Sequence, residues 1–255
     1  MISIGSGSSG LNNTGNKSKV AVPNINIITK LLAELGGGYS SNFEIDLASM
    51  RSEEVFKWFL ASLLLGESIN EDIATKTYRE FLKARILSPQ AILGTGREGL
   101  VKVLNKIDYG AYAIKIASEL IEVAEALMDK YQGDMNHLHF YAKDERDLGK
   151  RLRELSKGIK PTTVRMFLRE MRDLWEKAEP PITKTAIIAS KNLQLLQVTN
   201  GAQALEELRV MWEKKGEARG RFSDFEVALS ILGKNYCKQK RCGSCLIRDD
   251  CGSAR

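Results

Sequence analysis

The sequence predicts an all-α protein, on three observations. From residue 24 onward apolar residues recur at helical spacing almost without interruption. No alternating β-branched run of useful length and no fixed-period repeat competes with that pattern. The helical text is broken most strongly at Pro180–Pro181, which reads as the best internal boundary.

The elements follow in order. The opening run, rich in Gly, Ser and Asn, cannot bury enough apolar surface to order itself, so residues 1–23 are expected to form a flexible tail. In EEVFKWFLASLLLG, Val55, Phe56, Phe59, Leu60, Leu63 and Leu64 fall at helical spacing, giving a helix with a wide buried face that Gly66 ends. The next helix, NEDIATKTYREFLKA, starts at an Asn70 cap, and SPQAILG has Ser88 as cap with Pro89 in the first turn. Helical patterns continue at REGLVKVLNKI, YAIKIASELIEVAEALMDKY, ERDLGKRLRELS and TTVRMFLREMRDLWEKA. Beyond the proline pair come TAIIASKNLQLLQ, GAQALEELRVMWEKK and SDFEVALSILGKNY. Trp58, Trp175 and Trp212 sit beside apolar neighbours at helical spacing and are expected in the core. His137 and His139 read as surface-loop or satisfied polar residues; Glu44 with Asp46, and Asp249 with Asp250, read as caps or as balance for basic residues.

The 255 residues are 43% hydrophobic and 27% charged, enough for a sizeable core in one or two domains. The net charge of +6 favours a polyanionic partner, with nucleic acid the leading candidate. No stretch approaches the roughly 18–20 apolar residues of a membrane span, and the start has no apolar signal core, so a cytoplasmic protein is expected.

All four cysteines lie in CKQKRCGSCLIRDDC, at Cys237, Cys242, Cys245 and Cys251. Their spacing, C-x4-C-x2-C-x5-C, points to metal binding over disulfides, because no targeting signal places the chain in an oxidising compartment. Zinc and a [4Fe-4S] cluster both suit four thiolates. Only Cys242 and Cys245 form a C-x2-C pair, whereas zinc ribbons present two, so the spacing favours the cluster and leaves zinc open. Lys234, Lys238, Lys240, Arg241 and Arg248 surround the thiols, with no acid between Lys234 and Arg248.

A second basic element precedes the proline pair. Leu152 and Leu155 bury one helix, Gly158 permits a tight turn with close backbone approach, and Thr162 or Thr163 caps a helix carrying Val164, Phe167 and Leu168. Such a turn is expected to point backbone N–H groups outward at a helix N-terminus, a site for phosphate. Seven Lys or Arg between Arg151 and Arg172, against Glu154 and Glu170, add a positive field.

Here the residues carry a resemblance. The run RCGSCLIRDDC, with LGKNYC before it, resembles the C-terminal iron–sulfur loop of the endonuclease III branch of the helix-hairpin-helix DNA glycosylase superfamily. In the right order, FLASLLLGESINEDIATKTYREFL resembles the family's early buried helix, turn and following helix, and IDYGAYAIKIASELI the turn and helix that come next. RLRELSKGIKPTTVRMFL then resembles its helix-hairpin-helix element, here about residues 147–172. The similarity runs from about Glu53 to Cys251.

The resemblance implies two helical lobes, 52–180 forming a barrel with the hairpin and 24–51 joined with 181–255 around a [4Fe-4S] cluster. It implies a monomeric, DNA-associated repair protein acting on damaged or mismatched duplex, through Lys157, Gly158, Ile159, Lys160, Thr162 and Thr163 of the hairpin and Lys238, Lys240 and Arg241 of the cluster loop. It also implies N-glycosylase chemistry on an everted base, with or without lyase activity, and there the chain departs from the family. Thr162 stands where lyases carry a Schiff-base Lys, and Lys184, beside Thr183, stands where the family has its Asp. No carboxylate occurs between Pro180 and Asn200. Glu67 replaces a Gln and Lys160 the hairpin's second Gly. Lys184 and Lys160 are the candidate amines. Two alternatives stand beside the glycosylase: a catalytically silent DNA-structure binder, and a zinc-stabilised helical module for RNA or protein.

Overall fold

The computed structural model describes residues 25–67, 71–107, 109–110, 112–197, 200–215 and 220–254, whose regular structure is all helical, with no strand among them. The expected tail and the Asn70 cap lie outside the described residues. Among the described residues no helix is long and apolar enough to cross a membrane.

The chain forms α1 (Ile25–Leu35), α2 (Gly38–Asn42), α3 (Ser52–Glu67), α4 (Glu71–Lys83), α5 (Pro89–Leu104), α6 (Tyr112–Tyr131), α7 (Met135–Tyr141), α8 (Glu145–Arg153) and α9 (Pro161–Met171). After the proline pair come α10 (Lys184–Asn192), α11 (Gly201–Lys215) and α12 (Phe222–Leu232). The Ser88 cap is present, its Oγ accepting from the Ala91 N–H at 3.1 Å with Pro89 at the first helical position. The two patterns expected as separate helices, SPQAILG and REGLVKVLNKI, run together as α5 across a kink at Gly96 (φ 65°, ψ 170°), a conformation that favours glycine. The expected TAIIASKNLQLLQ helix is shorter, ending at Asn192, and Gln194 turns the chain away at φ 58°.

Two apolar cores divide the helices. The first holds α3 at its centre: Val55, Phe56, Trp58, Phe59, Leu60, Leu64 and even Ser62 are buried, so this helix is enclosed on every side, beyond the single wide face its sequence predicts. Trp58 donates its indole N–H to the Phe167 carbonyl at 3.1 Å, and Phe59 meets the Phe167 ring edge-on at 5.1 Å, which fixes α9 against α3. Trp175 donates to Asn136 Oδ1 at 3.0 Å and stacks on His139 at 4.8 Å. His139 is thereby a packed polar residue; burial and nearby Lys177 push its pKa down. The second core joins α1 (Ile27, Ile28, Leu31) to α10, α11 and α12, with Trp212 against Phe225 and Phe222.

The chain therefore starts in one core, crosses to the other and returns. The return falls at the proline pair, since Ala178 belongs to the first core and Ile182 to the second. The outward crossing falls earlier than the expected boundary at residue 51, because Phe43, Ile45 and Leu47 already pack in the first core.

A polar clasp from the end of α9 joins the two. Glu170, fully buried, accepts from the Tyr39 and Ser40 N–H groups at 2.8 and 3.0 Å and so caps α2 from outside. Gly38 is required there, both for its φ of 59° and because a β-carbon would lie 2.6 Å from Glu170 Oε2. Arg172 reaches Glu226 on α12 at 2.9 Å, Glu179 at 3.0 Å and the Pro180 carbonyl at 2.5 Å. Asp173 caps α12, accepting from the Ser223 N–H at 2.8 Å. Arg172 and Glu226 are each 1% exposed in their side chains, so removing one leaves the other as a buried, uncompensated charge. Arg172→Ala should cost about 3–5 kcal/mol in denaturant unfolding, whereas Lys76→Ala, which breaks an exposed pair with Asp72, should leave stability nearly unchanged.

Candidate functional site

The four cysteines occupy the chain immediately after α12. That helix does not stop at Leu232 but widens into a π-helical turn, Gly233–Cys237, closed by the Lys238 N–H on the Gly233 carbonyl at 2.9 Å. Gly233 is there because α12 passes against α10: a β-carbon would lie 1.9 Å from the Thr185 carbonyl oxygen. Short turns follow, with the Cys245 N–H on the Cys242 carbonyl at 3.2 Å, Arg248 on Cys245 at 3.1 Å and Cys251 on Arg248 at 3.1 Å. Folded back at these intervals, the loop brings the thiols into one neighbourhood. Cys237 interacts electrostatically with each of the other three, and Cys245 with Cys242 and Cys251.

Burial is the main cause that pushes the Cys237 and Cys245 thiols up, opposed by a hydrogen bond with Asn192 for Cys237 and with Ile247 for Cys245. Cys251 donates its thiol to the Asn192 carbonyl at 3.5 Å. All four cysteines are free and half-buried, and Cys237, Cys245 and Cys251 pack against the second core beside fully buried Ile247. They supply four sulfur donors without a histidine. Among the described residues, no group of three or more His, Cys, Asp or Glu stands arranged to hold a metal ion. The loop is fastened from outside: Lys30 of α1 pairs with Asp250 at 2.7 Å, and Gly252 lies under the Gln194 side chain.

Lys238, Lys240, Arg241 and Arg248 are exposed around the thiols. Lys240 sits at φ 55° in the turn. Lys234 pairs with Glu71, the first residue of α4, and Tyr39 shares that carboxylate through its hydroxyl at 3.4 Å.

The hairpin between α8 and α9 differs from expectation in four respects. Its second helix is capped by neither threonine: Lys160 is the N-cap and Pro161 opens the helix, since proline lacks the N–H that would be orphaned there and its fixed φ suits the first turn. The turn's N–H groups are spent inward, Gly158 on Ser156 Oγ at 3.2 Å and Ile159 on the Ser156 carbonyl at 3.3 Å. Ile159 and Thr163 are buried, so neither side chain faces a ligand. Finally, the seven basic residues do not act together. Arg169 and Arg172 are buried, and Arg151 is held by Asp147 at 2.9 Å and by the Tyr131 hydroxyl at 3.2 Å. Arg153, Lys157, Lys160 and Arg165 remain exposed, as does Thr162.

Gly158 has a different use from a strained turn. A β-carbon there would lie 2.0 Å from Glu119 Oε1, so the glycine admits a carboxylate from α6 over the turn, a contact that sequence reasoning missed. Close approach also ties the hairpin to α3. Lys160 donates its ammonium to the Gly66 carbonyl at 3.4 Å, and Thr163 Oγ1 lies where a β-carbon on Gly66 would fall. The side chain of Glu67 lies outside the described residues.

At the second candidate position, Thr183 caps α10, its Oγ accepting from the Ala186 N–H at 3.1 Å and bonded to Ser230 Oγ at 2.8 Å. Lys184 follows as the first helical residue and is exposed. No protein-family model matches this chain, and no curated protein matches it.

The fit of the π-turn against α10 is testable. Gly233→Ala forces a clash with backbone that cannot swing aside, and should destabilise the second core by about 1–3 kcal/mol in urea unfolding. Gly243→Ala, where a β-carbon meets nothing within 4 Å, should leave it unchanged.

Proposed function

We propose that the protein is a helix-hairpin-helix DNA glycosylase-type repair protein, resembling endonuclease III, that binds damaged or mismatched duplex DNA. In this reading a [4Fe-4S] cluster is held by Cys237, Cys242, Cys245 and Cys251. The group would serve as a structural fastening, fixing a short, highly charged loop that has little apolar surface of its own. The loop's own residues make the contact: Lys238, Lys240 and Arg241 offer cations to phosphates, as Lys157 and Lys160 do from the hairpin.

The observation that carries the reading is a chain of contacts. Lys160 touches the end of α3 at Gly66, and Lys234, at the start of the cysteine loop, touches the start of α4 at Glu71. Glu71 follows Gly66 by five positions, at most about 18 Å of chain. Both exposed basic elements are thus drawn to the same junction from different cores, as a grip on one backbone requires.

Catalysis is a separate reading, supported by the exposed amine of Lys184 beside the Thr183 cap. An amine there would attack C1′ of an everted nucleotide as the glycosidic bond breaks, the base leaving with the proton the amine gives up, and opening of the sugar ring would then give the imine. Thr162 offers no such chemistry, and α10 supplies no carboxylate for a cationic sugar.

Anaerobically purified protein should be brown with broad visible absorption; colourless protein with stoichiometric zinc would assign the thiols to zinc. Duplex binding should weaken steeply with salt, and Lys160→Ala and Lys240→Ala should each remove about one unit of log–log slope. Unchanged slopes in both would overturn the proposed grip. Borohydride trapping on a panel of lesion-bearing duplexes decides the chemistry: trapping lost in Lys184→Ala identifies the amine, and no base release on any lesion leaves a binding protein.

A further inference from the structure

The outer side of the hairpin carries a groove that the contact surface described above does not use. It lies between α8, α9 and the proline linker and encloses about 330 Å³. Its floor is apolar, formed by Pro161, Val164, Leu168 and the Pro180–Pro181 pair. Its rim carries Arg146, Arg153 and Arg165, all exposed. Arg146 and Arg153 stand seven residues apart on α8, two turns and about 10 Å, on one face of that helix. Gly149 between them adds no side chain to fill the space, and nothing lies within 4 Å of where its β-carbon would be.

Among the described residues none of these three guanidinium groups has a carboxylate partner. Of the two carboxylates at the groove, Glu179 is committed to Arg172 and Arg209, which leaves Glu145. The opposite side of the hairpin has the reverse character. There Glu122, Glu125, Asp129 and Glu154 surround a depression of about 460 Å³ in which Lys157 is the one basic residue. A polyanion seated at the hairpin tip is repelled on the α6 side and attracted on the α8–α9 side. Pro161 links tip and groove, being both the first residue of α9 and part of the groove floor.

We infer that a phosphodiester backbone leaving the hairpin tip runs along the α8–α9 groove toward the proline linker. Its phosphates meet Arg153, Arg165 and Arg146, and its sugars lie on the proline and valine floor. The inference rests on the DNA-binding reading and extends it from two gripping elements to a directed path. Arginine suits the task, since its planar fork binds phosphate oxygens in pairs and keeps its charge at any working pH.

The test is equilibrium binding of a fluorescein-labelled duplex to the full chain across a salt series. Arg146→Gln, Arg153→Gln and Arg165→Gln change exposed, unpaired side chains, so thermal midpoints should hold. Each is expected to flatten the log–log slope by about one unit, and the triple variant by about two to three. Glu145→Gln should tighten binding at low salt, a gain that no folding defect produces. An unchanged slope in the triple variant, with Lys160→Ala still lowering it, overturns the groove path and leaves DNA binding standing. Failure of the unmodified chain to bind duplex at all overturns both. If the chain binds a polyglutamate peptide, and the triple variant loses that peptide while keeping its duplex affinity, the groove belongs to an acidic protein partner and the backbone path is overturned.

Discussion

Burying a guanidinium costs least where its nitrogens find acceptors, and at Arg172 each of the three nitrogens has one, so that the side chain ties α12 to the linker. Its partners are Glu226 on α12, Glu179 and the Pro180 carbonyl at the linker. The neighbouring Glu170 and Asp173 cap α2 and α12, so the final turn of α9 and the two residues after it set the start of both elements. The arrangement is not free of cost. Among the described residues Glu226 Oε1 has no hydrogen-bond partner, and burial pushes the Glu226 carboxyl up despite the cation beside it. Well-packed apolar residues would hold two cores together as firmly. What charges add is register, because a guanidinium with three fixed acceptors admits one position and an oily contact admits several.

That register connects the two ends of the candidate site. The hairpin lies at the N-terminus of α9 and the clasp at its C-terminus, eleven residues and about 16 Å of helix apart. From the clasp, α12 runs to the cysteine loop through the π-turn. The relative placement of the two basic elements thus passes along rigid helices and a buried ion pair. A further tie comes from Lys234 and Glu71, which is exposed and correspondingly weak.

What could be read in the sequence was local. The helical class, the Ser88 cap, the three buried tryptophans and the break at Pro180–Pro181 all follow from spacing or from one residue's own stereochemistry. The four cysteines announced themselves by their crowding. Errors arose where a remote partner decides the outcome. Arg169 and Arg172 look like surface cations in a list of charges, and only the fold puts carboxylates and a carbonyl around Arg172. Gly158 looked like a turn glycine, and its reason is a glutamate 39 positions away on α6. The helix that Thr162 or Thr163 is expected to cap starts instead at Pro161, whose missing N–H already favours the first position. Arg146 lies on α8 ahead of the basic stretch from Arg151 to Arg172, and only the fold sets it beside the same groove as Arg153 and Arg165.

The return of the chain to its starting core has a consequence in time. The apolar face of α1, Ile27, Ile28 and Leu31, is covered by helices that begin at residue 184 and close with α12. A ribosome delivering roughly 5–20 residues per second needs on the order of ten to forty seconds to pass from α1 to the start of α12. The first core, complete by Ala178, can condense during that interval, while α1 waits as a tethered amphipathic segment with its partner unmade. Nascent chains of this protein are therefore most exposed to premature association through α1. Slowing translation beyond the proline pair would lengthen that exposure, and a chaperone that recognises short apolar helices would have its period of use there.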